Sequence, residues 1–231
     1  MGNNRIHNDS IADYIKRTAV LVFGLFVFSF GIYLAIQADI GLAPWEAFSM
    51  GISYASGISF GNTVLITGLA ILLIDVAFKE KIGIGTILNT VLIGQFTDFF
   101  IAADIVPKAD NFWLGVVMML AGQFLLSIGS YFYIKTALGC GPRDSLMVAL
   151  AKMAGRLPVG AVRGLIEGSV LLIGWLLGAK IGAGTVIAVF GIGLILEWTF
   201  RMFSFDVKSV VHESVFDSFA RIRSAARREN G

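Results

Sequence analysis

Cysteine and histidine are nearly missing from this sequence: Cys140 stands alone, and the histidines are His7 and His212. One cysteine excludes an internal disulfide and leaves little basis for a redox role. Both histidines lie in polar tails, so no imidazole sits in an apolar segment to bind a metal or relay a proton. Proline is scarce, with 4 residues, and only 15% of the 231 residues are charged. Disorder needs high charge and low hydrophobicity, and is therefore excluded. The motifs of catalysis are missing too: there is no P-loop, no H-E-x-x-H, no nucleophile–base pair and no carboxylate pair whose spacing compels a catalytic role. The sequence gives no reason to expect enzyme activity, a cofactor or a metal site.

What is present is apolar. Hydrophobic residues make up 56% of the chain and there are 27 glycines. Together they reach about two-thirds, against roughly 45–50% in soluble domains. A globule of this size cannot hide that excess, so a polytopic membrane protein is the remaining class. Apolar segments at 18–38, 60–78, 84–103, 112–134, 158–178 and 182–200 are each long enough to cross a core of about 30 Å. Two more, 44–56 and 142–154, are shorter and more polar; a helix of that length reaches only roughly 20 Å. The first long run follows Lys16-Arg17 and is too long for a signal peptide's apolar region, so it reads as a retained first helix with its basic flank in the cytoplasm.

The chain repeats itself. Gly31, Tyr33, Gly41, Pro44 and Glu46 recur as Gly129, Tyr131, Gly139, Pro142 and Asp144. One inserted residue later, Lys81-Ile-Gly-Ile-Gly-Thr86 recurs as Lys180-Ile-Gly-Ala-Gly-Thr185. Gly61 then matches Gly160, Gly94 matches Gly193, and Asp98 falls on Glu197. Two topologies compete. If the short segments cross the membrane, each half has four spans and the halves are parallel. If they only dip in, each half has three spans and the halves are inverted. The positive-inside rule favours the second, with Lys79, Lys81, Lys135, Arg143, Lys152, Arg156, Arg163 and Arg201 inside and only Lys180 misplaced.

Gly139-Cys-Gly141-Pro142-Arg143-Asp144 reads as a turn opening a helix over 142–154. Glycine permits unusual backbone and close approach, and proline suits a first helical turn. Such an N-terminus attracts anions, and Arg143 adds a guanidinium fork. The plainer reading is that Arg143 pairs with a carboxylate such as Asp144 or Glu167 and locks the loop. In the first half Pro44 is kept, Trp45 replaces the arginine, and Glu46 either complements its own helix N-terminus or carries a coupling ion. Arg163 and Glu167 share one helical face and can pair, where the first half has Val64 and Gly68. Charges inside a span usually face a cavity or a partner. Asp75 precedes Lys79 by four residues and reads as a snorkelling pair; Asn62, Asn89, Gln95 and Gln123 read as interhelical hydrogen bonds. The Gly-x-Gly-Thr runs read as tight helix entries.

Val207, Val211, Val215, Phe219, Ile222 and Ala226 form one helical stripe ending among Arg221, Arg223, Arg227 and Arg228. A basic amphipathic helix on the cytoplasmic leaflet fits, as does a cap on the bundle.

At these residues the chain resembles the bacterial YczE/YyaS/YitT-like family of integral membrane proteins, nearest its YczE-type branch. The carriers are Asp39-Ile-Gly-Leu-Ala-Pro-Trp-Glu46, Gly85-Thr86 with Asn89, Gly141-Pro-Arg-Asp144, Val162-Arg163 with Glu167, Gly174-Trp-Leu-Leu-Gly178 and Gly182-x-Gly-Thr185, within about residues 18–200. Glu46 departs from the family's expected aspartate but keeps the charge. The resemblance implies a bacterial inner-membrane location and supplies no substrate.

The expectation is an all-α membrane protein of two inverted repeats, each with three spans and one re-entrant helix, plus a C-terminal amphipathic helix. Its parts are a cytoplasmic tail over 1–17, membrane halves over 18–104 and 112–201, and a basic cytoplasmic tail over 205–231. The expected role is a secondary transporter or channel for a small, anionic solute. Arg143, Arg163, Gly141 and Pro142 would bind it, and Glu46, Asp144 and Glu167 would pair charges or carry coupling ions. The alternative is an accessory protein that binds a partner at the cytoplasmic face. Lipid is the certain partner, nucleic acid is not expected, and a homodimer or a cytoplasmic protein is compatible.

Overall fold

The computed structural model describes residues 11–154 and 159–229, with side chains at 154, 159, 208 and 225–229 left aside. His7 and Arg156, and the side chains of Ala226, Arg227 and Arg228, lie outside the described residues. Among the described residues the protein is all helical: α1 Ile11–Gln37, α2 Pro44–Ser56, α3 Phe60–Ala77, α4 Ile84–Ala103, α5 Phe112–Ile134, α6 Pro142–Ala154, α7 Val159–Leu176, α8 Ala183–Met202 and α9 Val215–Glu229, with one 3-10 turn, Val207–Ser209. Five of them, α1, α3, α4, α5 and α8, are long and apolar enough to cross a membrane. α7 equals α3 in length but carries Arg163 and Glu167. α1 begins seven residues before the apolar run, so Tyr14 and Arg17 are helical.

α1 and α5 form the centre and run antiparallel. Gly24 lies against Gly129, Gly31 against Gly122, and Ala38 against Gly115. A Cβ on Gly31 would fall 2.6 Å from the Gly122 carbonyl oxygen. Small residues at this seam let the backbones meet, as membrane helices require where lipid competes for apolar surface. α4 lies beside α1 and α8 beside α5. The start of α4 meets the end of α5, where Gly85 N–H donates to Leu138 O at 2.8 Å; the start of α8 meets the end of α1, where Gly184 N–H donates to Ile40 O at 2.9 Å. Each Gly-x-Gly-Thr run makes the expected tight entry: Thr86 and Thr185 hydroxyls accept the N–H of Gly83 and Gly182 at 3.2 Å. The turns they receive need positive φ, at Gly41 (116°) and Gly139 (139°). Gly141 needs none, so the special backbone expected at both glycines of that motif belongs to Gly139 alone.

These contacts give the bundle two ends. Lys79, Lys81, Lys135 and Lys152 gather with Arg17 at the end that holds the starts of α1 and α4, called here the basic end. Asp39, Asp104 and Asp110 gather at the other, the acidic end. Lys180, the expected exception, lies at the acidic end and is paired with Asp39 at 2.8 Å.

The C-terminal segment departs from one continuous helix over 207–226. The chain crosses the basic end as a strap: Glu213 N–H donates to Ala137 O and Val215 N–H to Ile82 O. α9 starts only at Val215, capped by Ser214 and Asp217, whose side chains bond each other's backbone N–H at 3.0 and 3.1 Å. This capping box overrides the apolar periodicity. Ile222 packs on the core while Val211, Phe216 and Phe219 stay exposed.

Candidate functional site

α2 and α6 both open on a proline, and their N-termini face each other. Between them lies a cavity of about 390 Å³, completed by α3, α4, α5, α7 and α8. Gly141, Pro142, Arg143, Asp144, Arg163, Glu46 and Glu167 all line it. The fold thus brings together seven residues from three helices and a turn. A larger groove of about 840 Å³ beside α1, lined by Ile11, Tyr14, Val22, Phe26 and Ile222 among others, has no charged wall.

Arg143 holds the centre. Its Nη1 is 3.4 Å from Glu46 Oε1, and its guanidinium lies 4.8 Å from the centroid of the Trp45 ring. The residue that replaces the arginine in the first half therefore packs against it, a cation–π contact worth about 0.5–2 kcal/mol. Arg143 pairs with Glu46 across the helices rather than with Asp144 or Glu167, and 3.4 Å is long for a charge-assisted bond. Arg163 Nε donates to Glu167 Oε1 at 2.7 Å within α7, as the spacing predicts. Asp144 is exposed to the cavity.

Two fixed positive charges face three carboxylates. Each helix N-terminus adds a partial charge of about +0.5. With α2 and α6 both contributing, the site balances near zero.

The four amides divide into two pairs. Asn62 and Gln95 bond each other at 3.1 Å across α3 and α4, as expected. Asn89 and Gln123 instead line the cavity. Gln123 is 2% exposed, and its Oε1 has no hydrogen-bond partner among the described residues. Such an orphan in a polar cavity is an acceptor site for solute or water. Its signal in the sequence was no stronger than that of the other three amides.

The Asp75–Lys79 pair does not form. Asp75 is fully buried, and neither carboxylate oxygen has a hydrogen-bond partner among the described residues. α3 ends at Ala77 and Lys79 turns left-handed (φ 58°), so the four-residue helical spacing is broken before it is complete.

Sequence inspection also missed the anchor at the basic end. Glu213 accepts from Tyr14 Oη at 2.7 Å, Arg17 Nη2 at 2.8 Å and Ser218 Oγ at 3.1 Å. Burial alone would push the Glu213 carboxyl up, but the Tyr14 and Arg17 donors outweigh it and hold it below the usual carboxylate range.

An all-helical bundle, with apolar helices of spanning length around a charged cavity, defines a helical membrane protein. The chain belongs to a family described as a family of unknown function, DUF6198, whose pattern matches residues 15–201. It is similar to the uncharacterized membrane protein YczE of Bacillus subtilis, at 34% identity over 178 residues, covering 76% of this chain and 81% of that protein. An uncharacterized protein of Haemophilus influenzae is 31% identical over 183 residues, covering 79% and 83%. YyaS of Bacillus subtilis is 24% identical over 188 residues, covering 75% and 87%. The expected YczE-like membership therefore holds. No solved structure matches this chain.

Proposed function

We propose that this protein is a secondary transporter for a small anionic solute, built from two inverted repeats in a bacterial inner membrane with both chain ends in the cytoplasm. The antiparallel packing of α1 against α5, whose sequences carry the matching Gly and Tyr positions, supports inversion. The basic end, with the C-terminal strap, is the cytoplasmic side by the positive-inside rule. α2 and α6 are then re-entrant helices whose N-termini meet inside the bundle, a plan shared by many transporters.

The observation that carries the reading is the convergence of these two N-termini with Arg143, Arg163, Glu46, Asp144 and Glu167 on one cavity. Arg143 contacts the anion, freed from its long bond to Glu46. Asp144 or Glu46 takes the compensating proton. Arg163, held by Glu167, sets the field at the mouth.

The test is thermal stabilisation of the purified protein by phosphate, sulfate and small mono- and dicarboxylates. Wild type runs beside Arg143→Ala and Arg163→Ala. A bound anion at 100 times its dissociation constant adds about 2.7 kcal/mol. Stabilisation that vanishes in a folded Arg143→Ala variant supports the site. Equal stabilisation of wild type and Arg143→Ala refutes it. A second reading, a membrane accessory protein, draws on exposed Val211, Phe216 and Phe219 beside Arg221 and Arg223; it gains if no anion stabilises wild type.

A further inference from the structure

The helix pairs α3–α4 and α7–α8 occupy matching places in the two repeats but are packed differently. At the acidic end α3 lies directly on α4. A Cβ on Gly61 would fall 2.1 Å from the Gly94 carbonyl oxygen. Gly61 N–H donates to Asp98 Oδ1 at 2.6 Å, and Gln95 donates to Asn62 beside it. The corresponding residues of the second half are Gly160, Gly193 and Glu197. There the contact is absent: a Cβ on Gly160 or Gly193 would meet nothing within 4 Å, and α7 does not pack along α8. Glu197 turns instead to Arg201, at 2.9 Å on the exposed surface.

Gly160 and Gly193 face open space, as do Gly164 and Gly168 of α7, and helical glycines so placed are a puzzle. Glycines inside a helix destabilise it relative to alanine. Gly160 and Gly193 have no use in the arrangement seen, and they are what a close α7–α8 contact needs. Glu197 in turn is a carboxylate within reach of Gly160 N–H once the helices meet, as Asp98 is for Gly61. The cavity extends to the basic end, where Gly160 and Glu197 lie and where Tyr133, Phe200 and Val207 line it.

We infer that α3–α4 and α7–α8 are two alternating gates of the cavity, with the first closed and the second open in this structure. Closing the second repeats the first contact: Gly160 seats on Gly193, and Glu197 leaves Arg201 to accept from Gly160 N–H. The α3–α4 contact then loosens, so that the cavity opens at the acidic end. The inference rests on the internal repeat and deepens the transporter reading; it is independent of which solute is carried.

Disulfide cross-linking in membrane vesicles tests it, using the full chain with Cys140→Ser. Asn62→Cys with Gln95→Cys reports the closed α3–α4 gate. Ala161→Cys with Leu194→Cys occupies the matching positions on α7 and α8. We expect both pairs to cross-link under copper-phenanthroline oxidation, the second more slowly. Gly193→Leu should abolish the second cross-link without lowering the melting temperature, because the open arrangement has room for the side chain. Cross-linking of the first pair without the second overturns the inference. So does failure of the first pair, which removes the contact on which it is built. An unchanged cross-link at Ala161→Cys/Leu194→Cys in the Gly193→Leu variant also overturns it. If both pairs cross-link as expected but phosphate, sulfate and carboxylates alter neither yield nor melting temperature, the gates stand and the anion reading falls.

Discussion

Glu213→Ala should unfasten the C-terminal strap and destabilise the protein by about 3 kcal/mol. The magnitude follows from what is left behind. Arg17 and Glu213 are 6% and 8% exposed and lie 2.8 Å apart. Removing one member of such a buried pair typically costs about 3–5 kcal/mol, because the other charge stays desolvated. Arg17 keeps two bonds to Thr136 O, at 2.7 and 3.0 Å, which places the loss at the low end. Tyr14 also loses its acceptor. Arg17→Met with Glu213→Leu removes both charges and should recover most of the loss. Denaturant unfolding in detergent, run as a double-mutant cycle, measures the coupling; proteolysis at 205–214 shows whether the strap is released. A coupling energy below about 0.5 kcal/mol, the range of an exposed pair, would refute the reasoning. The pH profile adds an independent check. His212 is pushed below 6.5 by burial, so its folded state favours the neutral ring. Its share of stability is complete above 6.5 and falls as the pH drops below that value. The depressed Glu213 carboxyl keeps its share down to its unfolded value of 4.5 and loses it below. Strap release should therefore begin below pH 6.5 and steepen below 4.5, and the second stage should vanish in Glu213→Ala.

Asp75→Asn should leave the melting temperature unchanged or raise it, because the fully buried carboxylate has no donor to lose and the amide carries no charge to desolvate. A clear drop in the melt would show that the carboxylate has a partner. Gly31→Leu should destabilise by about 1–3 kcal/mol or more, since the added atoms meet the backbone of Gly122 and Leu126, which cannot yield. Gly168→Leu, with nothing within 4 Å, should leave the melt unchanged; equal effects of the two would refute the α1–α5 seam.

What the sequence made legible is what depends on neighbours along the chain. Pro44 and Pro142 marked two helix starts because proline has no N–H to lose in a first turn, and both helices begin there. Apolar run length located α4 and α5 to the residue. The Arg163–Glu167 bond was legible because four residues is one helical turn. Contacts between helices were not. Arg143 chose Glu46, 97 positions away, over Asp144 beside it. Glu213 found Arg17 and Tyr14 across almost the whole chain. Asp75 was misread for a local reason, since one left-handed residue ended the helix that the pairing required. Among the amides, only packing separates Asn89 and Gln123 in the cavity from Asn62 and Gln95 at a helix crossing.

The charge and the open gate meet on one helix, and each constrains the other. Gly68 of α3 lies so close to α4 that a Cβ there would fall 2.9 Å from Thr90 Cγ2. Its counterpart on α7 is Glu167, and the residue matching Thr90 on α8 is Val189. α7 cannot repeat the α3 contact with an ionised, unpaired Glu167 pressed onto an apolar helix, since a lone buried charge is far more costly than a paired one. Arg163 removes that obstacle by holding Glu167 at 2.7 Å. The pair can then turn into the cavity as one neutral unit while the glycine end of α7 closes. An anion that drew Arg163 away without a proton for Glu167 would restore the charge and hold the gate open. On the transporter reading proposed above, the basic end can shut when the cavity is empty or when its anion sits on Arg143, because Arg163 then stays on Glu167, and only an anion that takes Arg163 needs a proton on Glu167 as well.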